Sequence, residues 1–82
     1  MDSLLERITI VPGLCGGKPT IRGMRMTVSM ILEHLAAGDT TEDILAAFPF
    51  LEKDDLLASL FYAARLTELS PVSSAVLLQH AS

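Results

Sequence analysis

Residues 16–28 constrain the fold of this chain more than any other part of its sequence. Two glycines open this segment, and Gly23 divides two short extended pieces within it. The Gly23-Met24 pair suits the centre of a type II′ hairpin turn, because glycine accepts a positive φ at the first central position. The sequence therefore predicts a hairpin whose turn is flanked by Arg22 and Arg25.

Two guanidinium groups held side by side repel each other unless an anion or a carboxylate lies between them. Two interpretations of Arg22 and Arg25 follow. They pair with carboxylates of their own domain, which has ten acidic residues, or they bind a partner. On the second interpretation, the predicted DNA- or partner-binding residues are Lys18, Thr20, Arg22 and Arg25.

The size and hydrophobicity of the chain predict association. Its 82 residues form one small domain, yet half of them are hydrophobic and the mean hydropathy is +0.45. So short a chain buries only a modest core. We therefore expect a homodimer, a partner protein or both to cover the remaining apolar surface.

A β-branched, alternating stretch at residues 7–11 predicts a short strand before this segment. A sheet this small has open edges, and pairing with a second copy of the chain would cover them. The predicted dimer or structural residues are therefore the strand's isoleucines and the glycines of the loop and turn: Ile8, Ile10, Gly16, Gly17 and Gly23.

Three helices are predicted after the hairpin. Thr27 caps the first, at 28–37, and Gly38 ends it. The second runs from Thr40 or Thr41 to residue 47, with acidic residues in its first turn. The third covers 53–66, and helical spacing predicts that its inner face consists of Leu56, Leu57, Leu60, Phe61 and Ala64.

The predicted fold is mainly α, with a three-helix helix-turn-helix core and a small N-terminal β element at 7–27. The domain is expected to span residues 1–66. Residues 67–82 form a tail whose apolar Val76-Leu77-Leu78 run favours contact with a partner.

The charge distribution argues against conventional DNA recognition by the third helix. The net charge is −4, and the helix start that would enter the major groove carries Glu52, Asp54 and Asp55 beside Lys53. This is the wrong sign for phosphate contacts. Any anion-binding surface is expected in the basic first third of the chain.

No catalytic, metal or cofactor site is predicted, and we expect a protein that is not an enzyme. Cys15 has no histidine in a believable relation to it. The sequence around Lys18 departs from a phosphate-binding loop, because Pro19 occupies the hydroxyl position. No apolar run reaches membrane-spanning length and the acidic start is unlike a secretory leader, so we expect a cytoplasmic protein without a membrane partner.

The motifs along the chain resemble those of the DUF433 family. They are Ile8-Thr9 through Pro12, the run Gly-Gly-Lys-Pro-Thr-Ile-Arg-Gly at 16–23 followed by Arg25 and Val28, Phe48-Pro49-Phe50-Leu51, and Leu60-Phe61-Tyr62-Ala63. The chain departs from the family pattern at Val11, where aspartate is frequent. It also departs at Glu52, where serine or threonine often begins the third helix.

The resemblance implies a homeodomain-like helix-turn-helix fold and the role of an antitoxin in a type II toxin–antitoxin pair, similar to VapB-like antitoxins. Such a protein binds and silences a PIN-like ribonuclease toxin encoded by an adjacent gene. With the toxin it could repress its own operon by binding operator DNA. The alternative is a small homodimeric protein-interaction module without a DNA-binding or antitoxin role.

Overall fold

The computed structural model of the chain describes residues 2–68. Within this range it contains helices and two short strands, which are α1 (Asp2–Leu5), β1 (Ile8–Thr9), β2 (Thr20–Ile21), α2 (Val28–Ala36), α3 (Thr41–Ala47) and α4 (Lys53–Glu68). The predicted mainly α fold with a small N-terminal sheet is confirmed. The sequence did not predict α1. The predicted tail begins inside α4, and its residues 69–82 lie outside the described part.

The sheet is antiparallel, with Ile8 opposite Ile21 and Thr9 opposite Thr20. The prediction of a strand over 7–11 was wrong beyond these two residues. Continuing the register would place Ile10 opposite Pro19, which has no N–H to donate, so the ladder ends there. Ile10 is consequently 61% exposed.

The predicted turn lies one residue earlier in the chain. The Met24 amide donates to the Ile21 carbonyl at 2.8 Å, so Arg22 and Gly23 are the central residues. Their φ angles are 47° and 73°, both positive as in a type I′ turn. The register follows from burial, because Ile21 and Met26 both lie in the core, and a one-residue slip would turn their side chains outward.

Helix α2 begins where the sequence predicts and ends one residue before the predicted end. The Thr27 hydroxyl accepts the Met30 amide at 3.1 Å. At the other end, the amides of Gly38 and Asp39 donate to carbonyls of the last turn. Gly38 has φ +96°, the left-handed conformation that glycine adopts without a Cβ penalty in this motif.

Helix α3 begins with a capping box. The Thr40 hydroxyl accepts the Asp43 amide at 3.1 Å, and the Asp43 carboxylate accepts the Thr40 amide at 3.0 Å. These bonds to Thr40 lower the pKa of Asp43 below its ordinary value. The box satisfies two amide groups that a helix start otherwise leaves without partners.

Replacing Thr40 with alanine is expected to lower the free energy of unfolding by about 1 kcal/mol, because the cap hydroxyl is lost. Urea denaturation followed by circular dichroism would measure this. Thr41→Ala, one residue inside the helix, is the matched control and should change stability by less than about 0.5 kcal/mol. Equal effects of both substitutions would contradict the capping role.

The core lies between the sheet, α2, α3 and the first half of α4. Its buried apolar side chains are Ile21, Met26, Val28, Ile31, Ile44, Leu51 and Leu56. Segment 16–28 therefore contributes three of these side chains and is part of the core as well as of the surface.

The predicted inner face of α4 was largely wrong. Leu56 is buried, but Leu57 and Leu60 are 43% and 48% exposed. The helix instead turns Asp55 and Ser59 inward, both fully buried. This rotation brings Asp55 to the charged partners described below.

Candidate functional site

The buried carboxylate of Asp55 connects segment 16–28 to the helical core. Arg22 contacts both carboxylate oxygens, with Nε donating to Oδ1 at 3.1 Å and Nη2 donating to Oδ2 at 2.8 Å. Arg7 Nη1 donates to Oδ1 at 3.0 Å, and the Glu52 amide donates to Oδ2 at 2.8 Å. Each oxygen therefore has two donors, which is what a buried charge requires.

These contacts determine the ionisation of Asp55. Burial by itself raises the pKa of this carboxyl group, but the hydrogen bonds from Arg22, the Glu52 amide and Arg7 lower it more. The net result is a pKa below the ordinary value. Asp55 is thus charged at neutral pH despite having no exposed surface.

Arg22 also links the turn to the loop between α3 and α4 through a hydrogen bond. Its Nη2 donates to the Phe50 carbonyl at 2.9 Å, and its own amide donates to the Arg7 carbonyl at 2.8 Å. The interpretation in which an arginine of the segment pairs with a carboxylate of its own domain is therefore confirmed for Arg22.

Arg7 completes the cluster from the turn between α1 and β1. Its Nη1 lies 2.6 Å from Glu52 Oε1, and its Nη2 lies 3.7 Å from Asp54 Oδ2. Glu52, the departure from the family pattern, thus has an ionic partner in this chain. Sequence reasoning missed both Arg7 and Asp55. The available signal was the position of Asp55 in the first turn of α4, where a side chain can accept the amide three residues earlier.

Thr20 lies inside the sheet. It is fully buried, and its hydroxyl donates to the Thr9 carbonyl at 3.0 Å. The two threonine hydroxyls lie 2.9 Å apart, and Thr9 Oγ1 also accepts the Gly23 amide at 2.9 Å. Of the four predicted binding residues, Thr20 and Arg22 thus have intramolecular partners.

The other two predicted binding residues, Lys18 and Arg25, are exposed. Neither makes an ion pair with any of the described side chains at positions 3–68. Lys18 directly follows a short 3₁₀ turn, Cys15–Gly17, in which Gly16 and Gly17 have φ angles of 67° and 79°. The paired glycines are needed for this turn, and the turn places Lys18 beside the helices.

Lys18 and Pro19 border an open groove of about 340 Å³ between the start of α2 and the end of α4. We call it the α2–α4 groove. The lining residues with polar side-chain groups are Lys18, Ser29 and Tyr62. Its apolar wall is formed by Pro19, Val28, Leu32, Tyr62, Ala63 and Leu66. An open apolar groove with few polar groups is the usual form of a site that receives an apolar segment of a ligand.

A metal site and a membrane-spanning helix would each place requirements on the described residues. No cluster of three or more His, Cys, Asp or Glu side chains in this part of the chain is arranged to hold a metal ion. None of its helices combines the length and apolar character needed to cross a membrane. The described surface around segment 16–28 therefore offers the α2–α4 groove and, in Lys18 and Arg25, two exposed cations outside the Asp55 cluster.

The fold is that of a small helical domain with an N-terminal two-stranded sheet. The Lys18-Pro19 pair of segment 16–28 borders its groove. The family described as "Protein of unknown function (DUF433)" matches residues 8–63. The chain belongs to the DUF433 family.

A solved structure agrees with this assignment. A DUF433 member protein from Anabaena variabilis has a crystal structure similar to this fold, with a TM-score of 0.72 and 31% sequence identity. The match covers 90% of this chain and 73% of that one. The uncharacterized protein y4eO of Sinorhizobium fredii is 34% identical over 58 residues, which is 71% of this chain. The match spans only 26% of that relative's length.

Proposed function

We propose that this domain is a non-enzymatic, cytoplasmic antitoxin that binds and neutralises a PIN-like ribonuclease encoded by an adjacent gene. The observation that carries the proposal is the α2–α4 groove. The Lys18-Pro19 pair of the family motif borders it, and most of the remainder of its wall is apolar. Such a groove accepts an apolar helix or strand of a partner protein.

The exposed cations support the same partner. PIN-like nucleases gather carboxylates around a metal ion, and a guanidinium or ammonium group placed among them would neutralise that charge. Lys18 and Arg25 are exposed for this contact, whereas Arg22 holds Asp55. The inhibitory cations are therefore Lys18 and Arg25.

Operator DNA is a weaker candidate as a direct partner of α4. The helix start that would enter the major groove exposes Glu52 and Asp54 beside Lys53, and these acids repel phosphate. We accordingly assign any contact with operator DNA to Lys18 and Arg25 rather than to α4. The alternative function, a homodimeric interaction module without an antitoxin role, differs in requiring no nuclease partner.

Co-expression with the product of the adjacent gene, followed by affinity capture and light scattering, tests the proposal. We expect a stable complex with a PIN-like protein. We expect Ser29→Trp, which fills the groove from an exposed position, to weaken the complex about tenfold or more. A wild-type chain that forms no complex would overturn the antitoxin proposal and favour the alternative module.

Met30→Trp is the matched control for bulk. Met30 follows Ser29 in α2 but lies outside the groove, beside His34 and Ala37. This variant should bind the nuclease like the wild type. Circular dichroism of both variants separates loss of binding from loss of folding. Equal weakening by the two substitutions would count against the groove as the binding surface.

A further inference from the structure

The outer face of α4 carries an apolar stripe that the described elements leave largely exposed. Leu57 and Leu60 are 43% and 48% exposed, Ala64 is exposed and Phe61 is half-buried. At 3.6 residues per turn, these four positions fall within about a third of the helix circumference. They lie opposite the buried face of Asp55 and Ser59, so the stripe points directly away from the core.

A charged residue lies at each end of the stripe. Lys53 and Glu68 are the first and last residues of α4, and both lie on the same side of the helix as the stripe. Both are exposed. Neither has an ion-pair partner among residues 3–68, whose side chains the structure describes. The stripe therefore has a cation at one end and an anion at the other.

This pattern is self-complementary when the helix is turned end for end. The 16 residues of α4 have their midpoint between Leu60 and Phe61. An antiparallel copy about this midpoint sets Leu60 against Phe61 of the other copy and Leu57 against Ala64. It also sets Lys53 against Glu68 at both ends, which gives two ion pairs between opposite charges. A two-fold interface requires this reciprocity.

We propose that a second copy of this chain covers the stripe, through antiparallel packing of α4 on α4 about a two-fold axis. Leu57 and Leu60 supply the apolar centre of the interface, and the Lys53–Glu68 pairs determine its register. The interface lies on the opposite side of α4 from the α2–α4 groove, so a dimer leaves both grooves open. This assignment does not depend on the proposed antitoxin role.

The edge of the sheet is the competing surface, because Ile10 is exposed next to β1. β1 and β2 each have two residues, and β2 already bonds to the 26–27 stretch on its other side. A two-residue strand edge offers few backbone hydrogen bonds to another copy. α4 offers a face about 24 Å long at 1.5 Å per residue, so the helix is the better interface.

Sedimentation equilibrium of the full chain tests this assignment. The wild type should have twice the mass of one chain at high micromolar concentration. Leu60→Asp should raise the dimer dissociation constant about thirtyfold, since both copies then place a carboxylate in the apolar centre. Ile10→Asp and the groove variant Ser29→Trp should leave the mass unchanged. A monomeric wild type, or dissociation by Ile10→Asp alone, would overturn the proposal.

Charge reversal tests the antiparallel register. Lys53→Glu and Glu68→Lys should each weaken the dimer about three- to tenfold, because each creates two like-charge contacts between the copies. The double variant Lys53→Glu/Glu68→Lys restores opposite charges and should recover most of the wild-type affinity. If the loss of dimerisation free energy in the double variant equals the sum of the losses in the two single variants, this pairing is ruled out.

Discussion

Replacing Asp55 with alanine is expected to lower the free energy of unfolding by about 3 kcal/mol. The substitution removes the acceptor of Arg22, Arg7 and the Glu52 amide at once. The two guanidinium groups are partly exposed and recover some hydration, which keeps the cost at the lower end of the range for broken buried pairs. A domain of this size has a total stability of only about 4–12 kcal/mol.

Urea denaturation measures this effect. With a slope near 1 kcal/mol per molar urea for a small domain, the midpoint should fall by about 3 M. Asp54→Ala is the matched control, because Asp54 is exposed and lies 3.7 Å from Arg7. It should cost less than about 0.5 kcal/mol. If Asp55→Ala does not fold, Asp55→Asn, which keeps one oxygen acceptor, provides the measurement. Equal stability of Asp55→Asn and the wild type would refute the role of the charge.

The same carboxylate makes stability depend on pH. Its pKa in the folded chain lies below the ordinary value of 3.8, so its contribution is complete above about pH 5 and is lost as the pH falls through the folded pKa. On acidification, the free energy of unfolding should therefore fall more in the wild type than in Asp55→Asn. Asp43, whose pKa is also lowered, is present in both proteins, so their difference isolates Asp55.

Replacing Arg22 with alanine is expected to cost about 2 kcal/mol of stability. The variant leaves a fully buried carboxylate with only Arg7 and one backbone amide as donors, and it leaves the Phe50 carbonyl without its partner. The Arg22 side chain is itself 35% exposed, and solvent screening reduces the effect below that of a buried pair. Thermal or urea denaturation would measure it.

Arg25→Ala is the matched control, three residues along the same segment. Arg25 is exposed, and its removal should change stability by less than about 0.5 kcal/mol. Arg22→Lys should recover only part of the loss, because an ammonium group cannot reproduce the two-point contact with Asp55. If Arg22→Ala and Arg25→Ala have the same free energy of unfolding, Arg22 contributes no more to stability than an exposed charge does.

The ends of the first two core helices could be predicted from the sequence because their signals are local. Thr27 and Thr40 cap helices whose amides lie three residues away, and Gly38 terminates α2 in a conformation that only a few residue types adopt readily. The resemblance to the DUF433 family rests on similarly local motifs. Such signals depend on the chain within one helical turn, so no tertiary information was needed.

The charged cluster could not be predicted in the same way. Arg22 and Asp55 are 33 residues apart, and Arg7 and Asp55 are 48 residues apart. Arg22 and Arg25 are alike in sequence, both being cations of one glycine-containing segment. Only the position of the turn, set by burial of Ile21 and Met26, directs Arg22 to Asp55 and leaves Arg25 exposed.

The sequence by itself determined the class of fold, the family and, to within one residue, the boundaries of α2 and α3, because periodicity, caps and turn residues act over a few positions. The tertiary structure decided which face of α4 is buried. Leu56 and Leu57 are adjacent and equally apolar, so periodicity admits more than one rotation of the helix. In the folded chain, the rotation that lets Asp55 pair with Arg7 and Arg22 is also the one that buries Leu56 and exposes Leu57 and Leu60.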